Sequence, residues 1–221
     1  MQVNKQRKWN LQLERLKEPT RVCKLCFKDV KPNDLYHFSD MTIDICKNCL
    51  EDIRPKFERF DVLGYKALSI YEYDERIKAL IYQLKGCFDV EIAHIFLLRY
   101  KTELSLWFRR YTIVPIPSFA EDDELREFNH VEEMFKLLNL PMKKLIAKTK
   151  RIKQANSTAN QRKEIGKHLS LTSNSKLYGE KILLVDDVYT TGSTMKAAVS
   201  LIQKLQPKTI KILVISKTTL K

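Results

Sequence analysis

No stretch of eighteen apolar residues occurs anywhere in the 221-residue chain, so a membrane-spanning helix of ordinary length is not expected. The opening residues Met1-Gln2-Val3-Asn4-Lys5-Gln6-Arg7-Lys8 lead into no long apolar segment. Neither membrane insertion nor secretion is therefore indicated, and a cytoplasmic location is the expectation. Internal repeats and low-complexity linkers are also lacking, which removes repeat architectures. Acids are scarce beside bases: 27 Asp+Glu stand against 40 Lys+Arg, for a net charge of +13. That excess favours a polyanionic partner such as nucleic acid, with a basic solvated surface as the plainer alternative. Much of it falls in residues 5–24 and in the run from Lys143 to Lys167.

What is present suffices for a globular protein. With 44% hydrophobic and 30% charged residues, the chain can build one sizeable core plus a small satellite module. Its organising stretch is Lys181-Ile182-Leu183-Leu184-Val185-Asp186-Asp187-Val188-Tyr189-Thr190-Thr191-Gly192-Ser193-Thr194. An apolar run ending in acids and followed by small hydroxyl residues reads as a buried strand, a tight loop and a helix starting near Ser193 or Thr194. Unpaired backbone N–H groups at such a helix start suit a phosphate. Thr190, Thr191, Ser193 and Thr194 add hydroxyl donors, and Gly192 permits close approach or a positive φ. Asp186 and Asp187 would repel a bare phosphate, so the remainder of the ligand should carry a diol or a Mg²⁺ ion. A sugar phosphate meets both demands.

Cysteines form a second motif. Cys23-Lys24-Leu25-Cys26 and Cys46-Lys47-Asn48-Cys49 are two C-x-x-C pairs spaced for a four-cysteine structural zinc site. Iron–sulfur ligation also suits four thiolates, and two disulfides are disfavoured without a secretion signal. Cys87, the fifth cysteine, is expected to be a small buried side chain. His37, His94, His130 and His168 are expected on surfaces or loops.

Elsewhere, apolar spacing predicts helices over Tyr73–Leu84, Ile92–Leu106 and Glu121–Leu138, and a strand over Thr112–Ser118 whose prolines, Pro115 and Pro117, mark an edge or a ligand-facing loop. The basic run after Lys143, with few apolar anchors between Ala147 and Ile165, reads as loop with at most one exposed helical turn. Lys181–Val188 should be the central strand, followed by a helix over Met195–Leu205 and a last strand over Ile210–Ser216. Alternating strands and helices imply a parallel sheet wrapped by helices.

The segment Val185–Thr194 resembles the phosphoribosyl pyrophosphate (PRPP) motif of type I phosphoribosyltransferases. That resemblance implies that Asp186 and Asp187 contact the ribose hydroxyls near Mg²⁺, and that Thr190, Thr191, Gly192, Ser193 and Thr194 hold the 5′-phosphate. It also implies that the loop after Pro115 receives pyrophosphate. Cysteine pairs ahead of such a domain, with Leu84-Lys85-Gly86 and Asp89, Val114-Pro115-Ile116-Pro117, Phe128-Asn129, and Gln154 with Arg162, resemble the ComF family. The expected fold is therefore α/β, a type I phosphoribosyltransferase domain over residues 56–221, preceded by a zinc-ribbon module over 21–55 and a basic arm over 1–20.

That family is associated with natural transformation, imported single-stranded DNA and a helicase-like ATPase partner. The implied role is an accessory protein of competence and DNA uptake that binds PRPP. The alternatives are an active transferase acting on a nucleobase, or a zinc-dependent adaptor with a relic pocket. This sequence departs from the family pattern before Asn129. Only Arg126 remains of the basic residues there, Glu127 stands at the glycine position and His130 at the glutamine. Arg126 is thus the expected catalytic cation at the pyrophosphate, within a run of four acids, Glu121-Asp122-Asp123-Glu124, that would oppose it.

Overall fold

The computed structural model describes residues 21–31, 33, 35–38, 41–148 and 169–219. The expected arm over 1–20, the motif residues Gln154 and Arg162, His168 and the basic run beyond Lys148 lie outside them. The chain divides into two compact units, 1–53 and 54–221. No described helix is long and apolar enough to cross a membrane.

The first unit contains two short antiparallel ribbons. One pairs β1 (Arg21–Val22) with β2 (Asp29–Val30), and the other pairs β3 (Leu35–Phe38) with β4 (Met41–Cys46). Helix α1 (Lys47–Glu51) follows directly from β4. Its apolar interior includes Leu35, Ile45, Leu50 and Ile53, too few side chains to order a fold without a further staple.

The second unit is built on a five-stranded sheet in the order β5 (Glu58–Val62), β6 (Tyr65–Glu72), β11 (Thr209–Lys217), β10 (Lys181–Tyr189), β7 (Thr112–Pro115). The last four run parallel, and β5 joins antiparallel to β6. Ile182 to Val185 and Ile212 to Ile215 are fully or almost fully buried, as befits parallel strands covered on both faces. Two points correct the sequence reading. The middle strand of the sheet is the last in sequence, β11, whereas β10 lies between it and edge strand β7. The hairpin β5–β6, for which no element was expected, supplies two of the five strands. Its two-residue turn places Leu63 at φ 51° and Gly64 at φ 83°, the paired positive values of a type I′ hairpin.

Helix α2 (Glu75–Gly86) begins at Asp74, whose carboxylate accepts from the Ile77 N–H at 2.8 Å, and it buries Ile77, Leu80, Ile81 and Leu84. The predicted single helix over 92–106 is instead a 3₁₀ turn at Val90–Ile92 followed by α3 (Ile95–Leu98) and α4 (Lys101–Trp107). The one predicted over 121–138 is two, α5 (Ala120–Arg126) and α6 (His130–Lys136). The break falls at Glu127, which takes the left-handed conformation at φ 65°, and Asn129 then caps α6 by accepting from the Glu132 N–H at 3.0 Å. The acid run is therefore helical.

The expected loop after Lys143 is also corrected at its ends. Ile146–Lys148 (β8) pairs antiparallel with Leu169–Leu171 (β9). Strand β7 is the edge that its prolines announce. Its outer side is partly satisfied by the 141–143 segment, since the Ile113 N–H donates to the Pro141 carbonyl at 2.7 Å and Lys143 donates back at 2.9 Å. Helix α7 (Ser193–Gln203) buries Met195, Ala198, Val199 and Ile202, the i, i+3, i+4, i+7 stripe that docks a helix on a sheet.

Candidate functional site

Strand β10 carries Asp186 and Asp187 to its carboxyl end, where parallel sheets open their ligand crevice. A cavity of about 310 Å³ opens there, and its walls include Lys85, Ser118, Arg126, His130, Asp186, Asp187 and Thr194. Four separate segments thus converge on the acid pair: the last turn of α2, the loop after β7 with α5 and α6, Lys148 at the end of β8, and the start of α7. Of the predicted ligand residues, Asp186, Asp187, Thr194 and Arg126 line the cavity, while Thr190 and Thr191 are exposed on the loop beside it.

The two acids differ in their partners. Asp187 is 7% exposed. Its Oδ2 accepts from Lys85 Nζ at 2.8 Å and from His130 Nε2 at 3.3 Å, and its Oδ1 accepts from the Val188 N–H at 2.8 Å. Burial pushes the Asp187 carboxyl up, but the bond from His130 and the Lys85 ammonium outweigh it and hold the group well below the usual carboxylate range. Asp186 Oδ1 accepts from the Asp187 N–H at 2.9 Å. Burial and the neighbouring Asp187 charge push its carboxyl well above the ordinary value. One acid is a tied anion and the other is held toward its neutral form, the pattern that two adjacent carboxyls in a low-dielectric site impose on each other.

His130 corrects the expectation of a surface histidine. It is 3% exposed, and burial lowers its pKa despite the bond to Asp187. Among the described residues its Nδ1 has no hydrogen-bond partner, and neither does the Nε of Arg126, a residue buried at the cavity wall. Arg126 donates to Asp123 Oδ1 at 3.2 Å. Asp123 is also bonded by Ser118 and receives Asn129 Nδ2 at 2.8 Å, so part of the acid run is spent holding α5 against the loop after β7. Lys85 was not among the expected site residues; it stood only within the Leu84-Lys85-Gly86 family segment.

The turn into α7 depends on Gly192. It sits at φ 73°, and a Cβ there would come within 2.1 Å of the Tyr189 hydroxyl. Thr191 Oγ1 and Ser193 Oγ lie 3.1 Å apart, and the Ser193 N–H donates to Thr191 Oγ1 at 3.5 Å. Cys87 and His94 take no part: Cys87 is exposed, contrary to expectation, and His94 is exposed as expected.

In the first unit the ligating atoms of Cys23, Cys26, Cys46 and Cys49 all lie within 4.8 Å of one another. Cys26 and Cys46 Sγ are 4.0 Å apart, close to the edge of about 3.8 Å that a tetrahedral ion with metal–sulfur bonds of roughly 2.3 Å requires. The Cys46 N–H points at Cys23 Sγ at 3.3 Å and the Cys49 N–H at Cys46 Sγ at 3.5 Å. Burial pushes the Cys23 thiol up, but N–H groups from Cys46, Cys26 and Leu25 bring it down to about 6. Burial and the neighbouring sulfurs push Cys49 up instead. Four converging sulfurs of which one is readily a thiolate fit a cation that would deprotonate the rest. The cluster could therefore hold a metal ion.

The described elements define an α/β chain whose mostly parallel sheet is flanked by helices, and residues 129–218 match the family model described as the phosphoribosyl transferase domain. Among curated proteins the chain is similar to two named Competence protein ComFC, which answers the ComF resemblance read from the sequence. The relative from Bacillus subtilis is 28% identical over 132 residues, 59% of this chain and 55% of that protein. The one from Streptococcus pneumoniae is 27% identical over 150 residues, 67% of each. The chain thus spans between about half and two thirds of the length of these relatives. Among solved structures, a hypoxanthine phosphoribosyltransferase from Staphylococcus aureus aligns with TM-score 0.35 and 12% identity over 57% of this chain and 62% of that one. A purine phosphoribosyltransferase from Pyrococcus horikoshii aligns with TM-score 0.35 and 16% identity over 57% and 82%.

Proposed function

We propose that the cavity at the carboxyl end of β10 binds PRPP, or another ribose 5-phosphate ligand, together with Mg²⁺, and that the chain acts as a cytoplasmic accessory protein of competence and DNA uptake. The observation that carries the ligand assignment is the acid pair lining the cavity, followed directly by the left-handed Gly192 turn into α7. The ribose diol and Mg²⁺ are assigned to the acid side, chiefly Asp186. The 5′-phosphate is assigned to the Thr190, Thr191, Gly192, Ser193, Thr194 loop, where hydroxyls and the N–H groups of a helix start favour an anion. The four cysteines hold a structural zinc.

The competence role rests on the names of the two relatives. Engagement of single-stranded DNA or a helicase-like ATPase is a further part of the proposal, supported on this chain only by its net charge of +13. Calorimetric titration of PRPP with Mg²⁺ into the zinc-loaded protein tests the pocket. Binding is expected, and it should be lost when Asp186 is replaced by Asn. Undiminished binding in that variant overturns the assignment, and no binding in the parent protein leaves an adaptor working through the cysteine module.

A second reading, turnover of PRPP onto a nucleobase, is favoured by one feature. Arg126 is a buried cation on the cavity wall, ion-paired with Asp123 at 3.2 Å, and a cation so placed can answer negative charge that develops in the cavity. In that reading Arg126 stabilises the charge on departing pyrophosphate. Pyrophosphate release with a nucleobase present, lost in Arg126→Gln, is the expected signature.

A further inference from the structure

A second cavity, of about 550 Å³, lies at the other end of the sheet, where β6 and β11 begin. Its lining includes Arg59, Lys66, Leu68, Trp107 and Lys211, with Asp61 as the one carboxylate. Strand alternation explains the grouping. Arg59 pairs across the ladder with Leu68 and Asp61 with Lys66, and Lys211 stands one residue before Ile212, which pairs with Ala67. Arg59, Asp61, Lys66, Leu68 and Lys211 therefore share one face of the sheet. Helix α4 ends at Trp107 and leaves this part of the face open.

Three cations on adjacent strands repel one another, and a covered sheet face would ordinarily hold apolar side chains there. Asp61 answers only one of them, Lys66, at 3.1 Å. Among the described residues neither Arg59 nor Lys211 has an ion pair, and the Lys211 ammonium instead lies 5.3 Å from the Tyr111 ring centroid and 5.8 Å from that of Phe108. The neighbouring indole of Trp107 is left 57% exposed. An exposed indole beside the Leu68 side chain, with two cations that lack an ion-pair partner among the described residues, matches a flat ring attached to a negative charge. The volume falls within the range of small-ligand clefts.

We propose that this cleft binds a nucleotide unit, the base against Trp107 and Leu68 and the phosphate between Arg59 and Lys211. The site is separate from the sugar-phosphate cavity and does not depend on the reading given to that one. It can be filled by a free nucleotide or by one unit of a single strand, since both offer the same base and phosphate.

The chain holds only two tryptophans, Trp9 and Trp107, so Trp9→Phe leaves Trp107 as the sole indole reporter. In that background, with full-length metal-loaded protein, AMP should quench the fluorescence saturably. Adenosine should bind at least roughly tenfold more weakly, as expected for loss of a charge-assisted contact. Adding Arg59→Ala and Lys211→Ala should weaken AMP by a similar factor or more, while calorimetric PRPP affinity stays unchanged. Asp186→Asn should leave the quench intact. A short oligothymidylate that binds more tightly than a mononucleotide identifies a strand as the occupant; equal or weaker binding identifies the free nucleotide. Absence of quenching by both up to millimolar concentration overturns the proposal, as does quenching that is the same with adenosine or unmoved in the double variant. Quenching in a protein that fails to bind PRPP supports this site while sinking the other reading.

Discussion

Adjacent carboxyls with unlike environments should respond oppositely to the same substitution. Asp187 is the anion that satisfies Lys85 and His130, so Asp187→Asn strands a partly exposed ammonium and a buried imidazole. A loss of about 3 kcal/mol is expected, the low end for breaking a buried charged cluster. Asp186 is held above its ordinary pKa by burial and by Asp187. A raised carboxyl contributes stability below the unfolded value near 4 and loses it as pH rises through the folded one, so at neutral pH this group is a net cost. Asp186→Asn should therefore raise the melting temperature of the ligand-free protein at pH 7, by a few degrees for about 1 kcal/mol. Asp187 and His130, both with lowered pKa values, act the other way. Each favours folding above its unfolded value, so stability should fall as pH drops below about 6.5 for His130 and again below about 4 for Asp187. Melting curves of the parent and both variants across pH 2 to 8 check the signs.

Glu127 offers a simpler case at the same scale. A non-glycine residue at φ 65° carries backbone strain of roughly 1 kcal/mol that glycine does not, and the side chain is exposed. Glu127→Gly should stabilise by up to about 1 kcal/mol in urea unfolding, tempered by the greater freedom of glycine in the unfolded chain. This position was legible in the sequence only through the family pattern, in which a glycine stands there.

At the scale of elements, legibility followed burial. The run Ile182 to Val185, the acids, the Gly192 turn and the α7 stripe all announced themselves, because continuous burial and tight turns leave strong compositional marks. The β5–β6 hairpin did not. Its turn is Leu63-Gly64 rather than Asn-Gly or Asp-Gly, and Lys66, Arg59 and Asp61 interrupt its apolar residues because their face is open to solvent. His130 was unreadable for a different reason. Its burial depends on Asp187 and Lys85, which lie 57 and 45 residues away in sequence, and no local pattern encodes that meeting.

The cysteine unit carries the element-scale prediction. Removing metal with a chelator should strip hydrogen-exchange protection from residues 21–53, whose apolar core is small, while amides of β10 and β11 keep theirs. Loss of protection in both sets would mean that the metal staples the entire chain.

For the whole molecule, the question raised by a net charge of +13 is which cations are free to meet a polyanion. Among the described part of the Lys143 run, Lys143 is bonded to Glu180 at 2.8 Å and Lys144 to Glu132 at 2.8 Å, so their charges are already answered at home. Among the described residues Arg59 and Lys211 have no such partner. If a single strand is bound, each phosphate neutralised should add about 0.7 to the slope of log affinity against log salt. Lys143→Ala with Lys144→Ala should leave that slope nearly unchanged. Arg59→Ala with Lys211→Ala should reduce it by about 1.4, two contacts' worth. Salt titrations of oligothymidylate binding decide between the regions. A slope that drops with the first pair and not the second would place the polyanion along the basic run, and the open sheet face would then have to owe its unanswered cations to something other than phosphate.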